Sequence, residues 1–131
     1  MAAIYHMCLV VDYEKAVEEG KYFSPTYTAD GFIHATEDPA MLIDTGNHFY
    51  KSSVGQWTCM KIDVSILTAE VIYEAPMAVG NIEAKDYSAE GKPETPKFPH
   101  IYGAINTDSV IELFPIVRAE DGSFLSITGL C

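Results

Sequence analysis

The stretch Gly31-Phe32-Ile33-His34-Ala35-Thr36-Glu37-Asp38-Pro39 decides the class of this chain. Its first six residues are apolar and rich in strand formers, which predicts a buried strand with Phe32, His34 and Thr36 on one face. Its last four change character at once. Thr36 and Asp38 offer side-chain oxygens, the acids suit the positive end of a helix dipole, and Pro39 fits the first helical position. A buried strand therefore feeds a helix start. The helix is predicted over 39–50, with Leu42, Ile43, Phe49 and Tyr50 as its buried stripe, Gly46 allowing close approach, and His48 near the edge.

Upstream, residues 3–11 predict a first strand. Alternation puts Ile4, His6 and Cys8 on one face and Tyr5, Met7 and Leu9 on the other. Asp12 is a candidate cap for a short solvated helix over 13–19, which Gly20 ends. Residues 22–27 are aromatic but interrupted by Pro25, so they predict a short strand or a shaped loop. Downstream, residues 57–63 alternate Trp57, Cys59 and Lys61 against Thr58, Met60 and Ile62, a clear strand. A single turn over 64–67 and a strand over 70–74 follow. Residues 80–96 carry Gly, Pro, Ser, Lys and Glu with little apolar content and predict a long surface loop. Residues 98–103 predict a compact apolar turn around Pro99 and Gly103. Strands over 109–117 and 124–127, joined by Asp121-Gly122, predict a C-terminal hairpin. Helices do not alternate with strands throughout, and neither GxGxxG nor a P-loop is present. The expected class is α+β in one domain over 1–131: a curved, mostly antiparallel sheet with two short helices.

Composition narrows the partners. The chain has 131 residues and a net charge of −11. Such a surface repels phosphate backbones and anionic lipid, so neither nucleic acid nor membrane is an expected partner. Arg118 is the one arginine, which disfavours any arginine cluster around phosphates. Cys8, Cys59 and Cys131 are odd in number and scattered, as expected for reduced thiols. No basic segment precedes a long apolar run, and no stretch approaches membrane-spanning length. The expected location is cytoplasmic.

Three of the four histidines sit inside apolar strings: Tyr5-His6-Met7, Ile33-His34-Ala35, and Phe98-Pro99-His100-Ile101-Tyr102. A buried imidazole must be hydrogen-bonded, ligated or used. His34 precedes a helix start, so its ring and the free N–H groups there are expected to converge on an anion or a carbonyl. Pro99 stiffens the turn that presents His100. Glu74 ends a strand and becomes a base or cation stabiliser if it lies beside the histidines. His6, His34 and His100 with Glu74 would also make a three-histidine, one-carboxylate metal set. No HxH, HxxxH or HExxH spacing supports it, and no metal ligand is assigned.

The strings Tyr5-His6, residues 31–36, Asn47-His48-Phe49-Tyr50, Tyr73-Glu74, residues 98–103 and Asp121-Gly122-Ser123-Phe124 occur in that order. Together they resemble a family of small proteins known as domain of unknown function 952, over essentially the whole chain. That family's fold resembles the ADP-ribosyltransferases, in which a split sheet surrounds an NAD cleft. The resemblance implies NAD or a nucleotide-like small molecule as ligand. It places Tyr5-His6 where relatives carry Tyr-His-Gly-Thr, although Met7-Cys8 stands in place of Gly-Thr. It makes Glu74 a candidate for the late-strand glutamate of those transferases. Transferases acting on RNA 2′-phosphates are similar in layout, with His-x-His-Leu-Ser where this chain has residues 32–36, but they rely on several arginines.

The resulting expectation is a transferase-like enzyme of glycosyl or ADP-ribosyl type. His34, His100 and Glu74 are its catalytic residues, and His6, Thr36 and Tyr102 bind the ligand. A non-catalytic small-ligand or interaction domain on the same fold is the alternative, favoured by the missing Gly-Thr and the acidic charge. A histidine metal site is the third reading. The oligomeric state is left open.

Overall fold

The computed structural model describes residues 2–84 and 97–130. Strand β1 (Ala3–Leu9) and strand β4 (Trp57–Asp63) pair antiparallel along their full length, from Ala3 opposite Asp63 to Leu9 opposite Trp57. Strand β8 (Val110–Arg118) adds to β4, and β9 (Phe124–Ile127) adds to β8. A second antiparallel sheet has the order β3 (Ile33–His34), β6 (Phe98–Tyr102), β5 (Glu70–Glu74). A small ribbon pairs β2 (Lys21–Tyr22) with β7 (Ile105–Asn106). The two larger sheets are joined where Tyr5 and Thr36 exchange backbone hydrogen bonds of 2.7 and 2.8 Å. The α+β class with antiparallel sheets and short helices is therefore present.

The alternation read from β1 and β4 builds two cores, one on each face of their pair. Ile4, Cys8, Met60 and Ile62 face one core, while Tyr5, Met7, Trp57 and Cys59 face the other. Both strands are buried on both faces, which explains why their positions other than His6, Lys61 and Asp63 are apolar or small.

Five expectations need correction. Helix α1 (Val10–Glu19) starts directly at the end of β1, and its N-cap Leu9 makes no side-chain bond, so Asp12 lies inside the first turn rather than capping it. The strand expected over 31–36 shrinks to Ile33–His34, because α2 (Tyr27–Asp30) and Gly31 precede it and Thr36 has turned towards Tyr5. Helix 39–50 begins as a 3₁₀ turn over Pro39–Met41 and becomes α3 over Leu42–Phe49, capped by Asp38, whose Oδ1 accepts the Ala40 N–H at 3.0 Å. The third α segment, α2, was not expected. Residues 98–103 form strand β6 rather than a turn, and β6 is the middle strand of its sheet. Pro99 is tolerated there because its carbonyl bonds the Ala35 N–H at 3.1 Å, beyond the end of the two-residue β3. Its missing N–H points to that same side, past the last paired residues of β3 and β6. Of the loop expected over 80–96, residues 85–96 lie outside the described residues, as does Cys131; Val79 and Ile82 form an isolated bridge.

Helix α3 reaches the sheet through Gly46 and Asn47. The Asn47 amide donates to Phe124 O at 3.0 Å, and its Oδ1 accepts the Phe124 N–H at 2.7 Å. A Cβ on Gly46 would lie 2.5 Å from Phe124 Cδ2 and 2.9 Å from two further ring atoms. Gly46→Ala therefore sets a helix-propensity gain of about 1 kcal/mol against overpacking of a fully buried ring, about 1–3 kcal/mol. The clash is expected to win. Urea denaturation should show a net loss of about 1 kcal/mol or more; a stabilised variant would disprove the tight contact.

Candidate functional site

The backbone register of β3 and β6 places His34 opposite His100. Their rings meet edge to face with centroids 5.5 Å apart. Each ring is held by a carboxylate. His100 Nδ1 donates to Glu74 Oε1 at 2.9 Å, and the Tyr102 hydroxyl donates to the same oxygen. His34 Nε2 donates to Asp30 Oδ2 at 3.0 Å. Phe32 stacks on His100 with centroids 4.1 Å apart and planes 18° apart. His100 is 1% exposed, whereas the Glu74 side chain is 39% exposed. The Tyr102 and His100 bonds hold the Glu74 carboxyl below the usual range. Burial pushes the His34 imidazole down, partly offset by Asp30. His34 is thus neutral at pH 7, its Nε2 keeps the proton towards Asp30, and its Nδ1 carries a lone pair. With Nδ1 of His100 committed to Glu74, the lone pair of that ring belongs to Nε2.

His6 has a different job. Its Nδ1 donates to His34 O at 2.5 Å and its Nε2 accepts from the Tyr22 hydroxyl at 3.0 Å. Burial lowers its pKa to about 4, so it is a neutral ring with a fixed tautomer. Both nitrogens are spent inside the protein. His6 joins β1 to β3 and positions His34, with both ring nitrogens bonded to protein partners. Glu74 Oε1 accepts from both His100 and Tyr102, which orients the His100 ring. The helix start does not converge on His34, since Asp38 takes the Ala40 N–H and Met41 N–H bonds Asp38 O at 3.1 Å. Among the described residues no group of three or more His, Cys, Asp and Glu side chains is placed to hold a metal ion. The four-residue metal set is therefore not assembled.

His6, His34, Thr36 and His100 line one cleft, together with Met77 and Val79. Its volume is about 50 Å³. Thr36 is buried at its wall through the bridge to Tyr5, while Tyr102 stands outside it and acts through Glu74. Among the described residues no lysine or arginine lines the cleft. His48 stays outside, exposed, with Nε2 donating to Glu83 O at 2.7 Å. The sequence reading missed Asp30. Asp30 stands four residues before His34, a usable spacing had the intervening Gly31 not broken the helix.

The sequence profile described as "Protein of unknown function (DUF952)" matches residues 7–113. The chain belongs to the DUF952 family. Two solved structures of CC0527 from Caulobacter crescentus are similar to this member of DUF952. The crystal structure has a TM-score of 0.69 at 18% identity, covering 94% of this chain and 93% of that one. The solution structure has a TM-score of 0.63 at 19% identity, covering 99% and 94%. At such identities the likeness establishes a shared fold. No functionally curated protein matches the chain. Among the described residues no helix is long and apolar enough to cross a membrane.

Proposed function

We propose that the cleft binds a small uncharged or cationic ligand through its O–H or N–H groups, and that His100 is the general base acting on it. One observation carries this reading: two imidazoles face each other at 5.5 Å, each fixed by its own carboxylate. Such pairing fixes the tautomer and the orientation of the free nitrogen. His34 accepts a second ligand donor. Glu74, Tyr102 and His6 are positioning residues, and Thr36 shapes the wall.

The reaction class follows from the resemblance to ADP-ribosyltransferases: glycosyl transfer from a nucleoside-like donor such as the nicotinamide end of NAD. The C–N bond breaks with its electron pair passing to the leaving ring nitrogen. The acceptor oxygen forms the new C–O bond, and its proton passes to His100 Nε2. The cleft adds a preference. With no lysine or arginine among its described lining residues, it offers a pyrophosphate no counter-charge, and the net charge of −11 repels anions at a distance.

Isothermal titration with nicotinamide, adenosine, NAD and ADP-ribose tests this reading. Nicotinamide or adenosine is expected to release heat and to bind more tightly than ADP-ribose. His100→Gln is expected to lower any nicotinamide release from NAD at least about 100-fold. No heat from any of the four compounds would remove the proposal. A non-catalytic site is the better reading if ligands bind and His100→Gln changes nothing.

A further inference from the structure

A second chamber lies beside the histidine cleft, on the far side of His6, Met7, Tyr50 and Val79, which line both. Its volume is about 190 Å³. An apolar cavity of roughly 150 Å³ is large enough to take benzene, so this chamber has room for a ring. Its walls include Tyr22, Tyr50 and Trp57, the last two with ring centroids 4.5 Å apart and planes 31° apart. Aromatic walls suit a flat ring by offset or edge contacts.

Ser24 also lines the chamber. It is 9% exposed, and its Oγ is the one buried side-chain nitrogen or oxygen without a hydrogen-bond partner among the described residues. An unpaired buried hydroxyl is unfavourable, and a serine side chain has staggered positions from which to meet a ligand atom. The charge around the chamber is acidic. Asp12 lines it, no lysine or arginine does among the described residues, and burial pushes the Cys8 thiol up to about 12, so it stays uncharged.

We infer that this chamber is a subsite for an uncharged planar ring bearing a hydrogen-bonding substituent. It holds the far part of the ligand whose polar end reaches His34 and His100, and in that respect it rests on the function proposed above. The substituent meets Ser24, the ring meets Tyr50 and Trp57, and Asp12 excludes carboxylates.

Trp57 is the only tryptophan in the chain, so its emission reports on this chamber. The full chain is titrated with benzamide and with benzoate. Benzamide is expected to change the emission saturably, and benzoate to bind at least about tenfold more weakly. Ser24→Ala is expected to weaken benzamide about five- to tenfold, and Asp12→Asn to bring benzoate closer to benzamide. Circular dichroism checks that each variant is folded. If Ser24→Ala does not fold, the Asp12→Asn comparison decides. An unresponsive Trp57, equal binding of the two compounds, or no effect of either variant overturns the inference. The histidine ring resonances separate the two proposals. A Trp57 response with silent His34 and His100 keeps the chamber and removes the acid–base reading, while the reverse pattern removes the chamber alone.

Discussion

Lowering the pH from 7 to 4 is expected to destabilise the protein by about 3 kcal/mol through His6 alone. Burial is the main cause of its depressed pKa of about 4; the bond to His34 O opposes the shift and the nearby His34 ring adds to it. An exposed histidine in the unfolded chain titrates near 6.5. Between these values the unfolded chain binds a proton that the folded one refuses. The stability is therefore complete above about pH 6.5, is lost as the pH falls towards 4, and changes no further below it. His34 is shifted the same way and steepens the loss. The depressed carboxyls of Asp63 and Glu74 act lower, since their contributions fade only below ordinary carboxylate values. The interval from 6.5 to 4.5 thus belongs to the histidines.

The test is urea denaturation at several pH values across that interval. His6→Asn keeps a donor for His34 O, and Tyr22→Phe removes the hydroxyl that would otherwise lose its acceptor. The double variant is expected to be less stable at pH 7 and to lose most of the pH slope. A native protein whose stability is flat from 6.5 to 4.5, or a double variant with the native slope, would contradict the buried neutral His6.

The physics of β1, β4 and β5 was open to sequence reading because each strand carries its own pattern. Period-two alternation over seven residues sorted Ile4 from Tyr5 and Cys59 from Met60 correctly, and the Glu70–Glu74 bounds follow from charged ends around an apolar centre. The misreading of β6 came from Pro99. Proline argues against a central strand, and the exception depends on β3 being two residues long, which no local signal reveals. The ribbon of β2 with β7 is equally hidden, because two residues show no period. At the site, the apolar strings around His34 and His100 marked the right place, and pairing across β3 and β6 brings them together. Their roles were not legible. Which nitrogen of His6 meets which partner depends on Tyr22 and on a backbone carbonyl of His34, contacts that exist only after β1 and β3 are joined. The strings 47–50 and 121–124 recur together in the family resemblance, and the Asn47 clamp on Phe124 supplies a physical reason.

Arg118→Lys is expected to destabilise the protein by about 3 kcal/mol despite conserving the charge. The Arg118 guanidinium donates to five carbonyls, those of Tyr50, Lys51, Ser53, Gly55 and Gly122, at 2.8 to 3.4 Å. It also lies 4.8 Å from the centre of the Phe124 ring. A lysine has three donors on a point charge and cannot span that fan. Each lost bond to a charged donor is worth about 1.5–3 kcal/mol when buried, but the half-exposed site lets water replace several, so the total stays well below the sum. Gly122 is the second half of the same lock. Its φ is +93°, and a Cβ there would lie 2.0 Å from Lys51 O. Gly122→Ala must move the backbone that Arg118 grips, so it is expected to destabilise by a similar amount, about 3 kcal/mol. Because both changes release the same loop, the double variant should fall short of additivity by about 1 kcal/mol or more. Chemical denaturation of the two single variants and the double variant closes the cycle, and hydrogen exchange should accelerate over 50–55 in all three. Strict additivity, or unchanged exchange in that loop, would separate the two residues. Tyr50 ties this lock to the site, since it leads the loop that Arg118 holds and lines both chambers. On the function proposed above, loosening Arg118 is expected to weaken ligand binding through Tyr50, with no change to His34, His100 or their carboxylates.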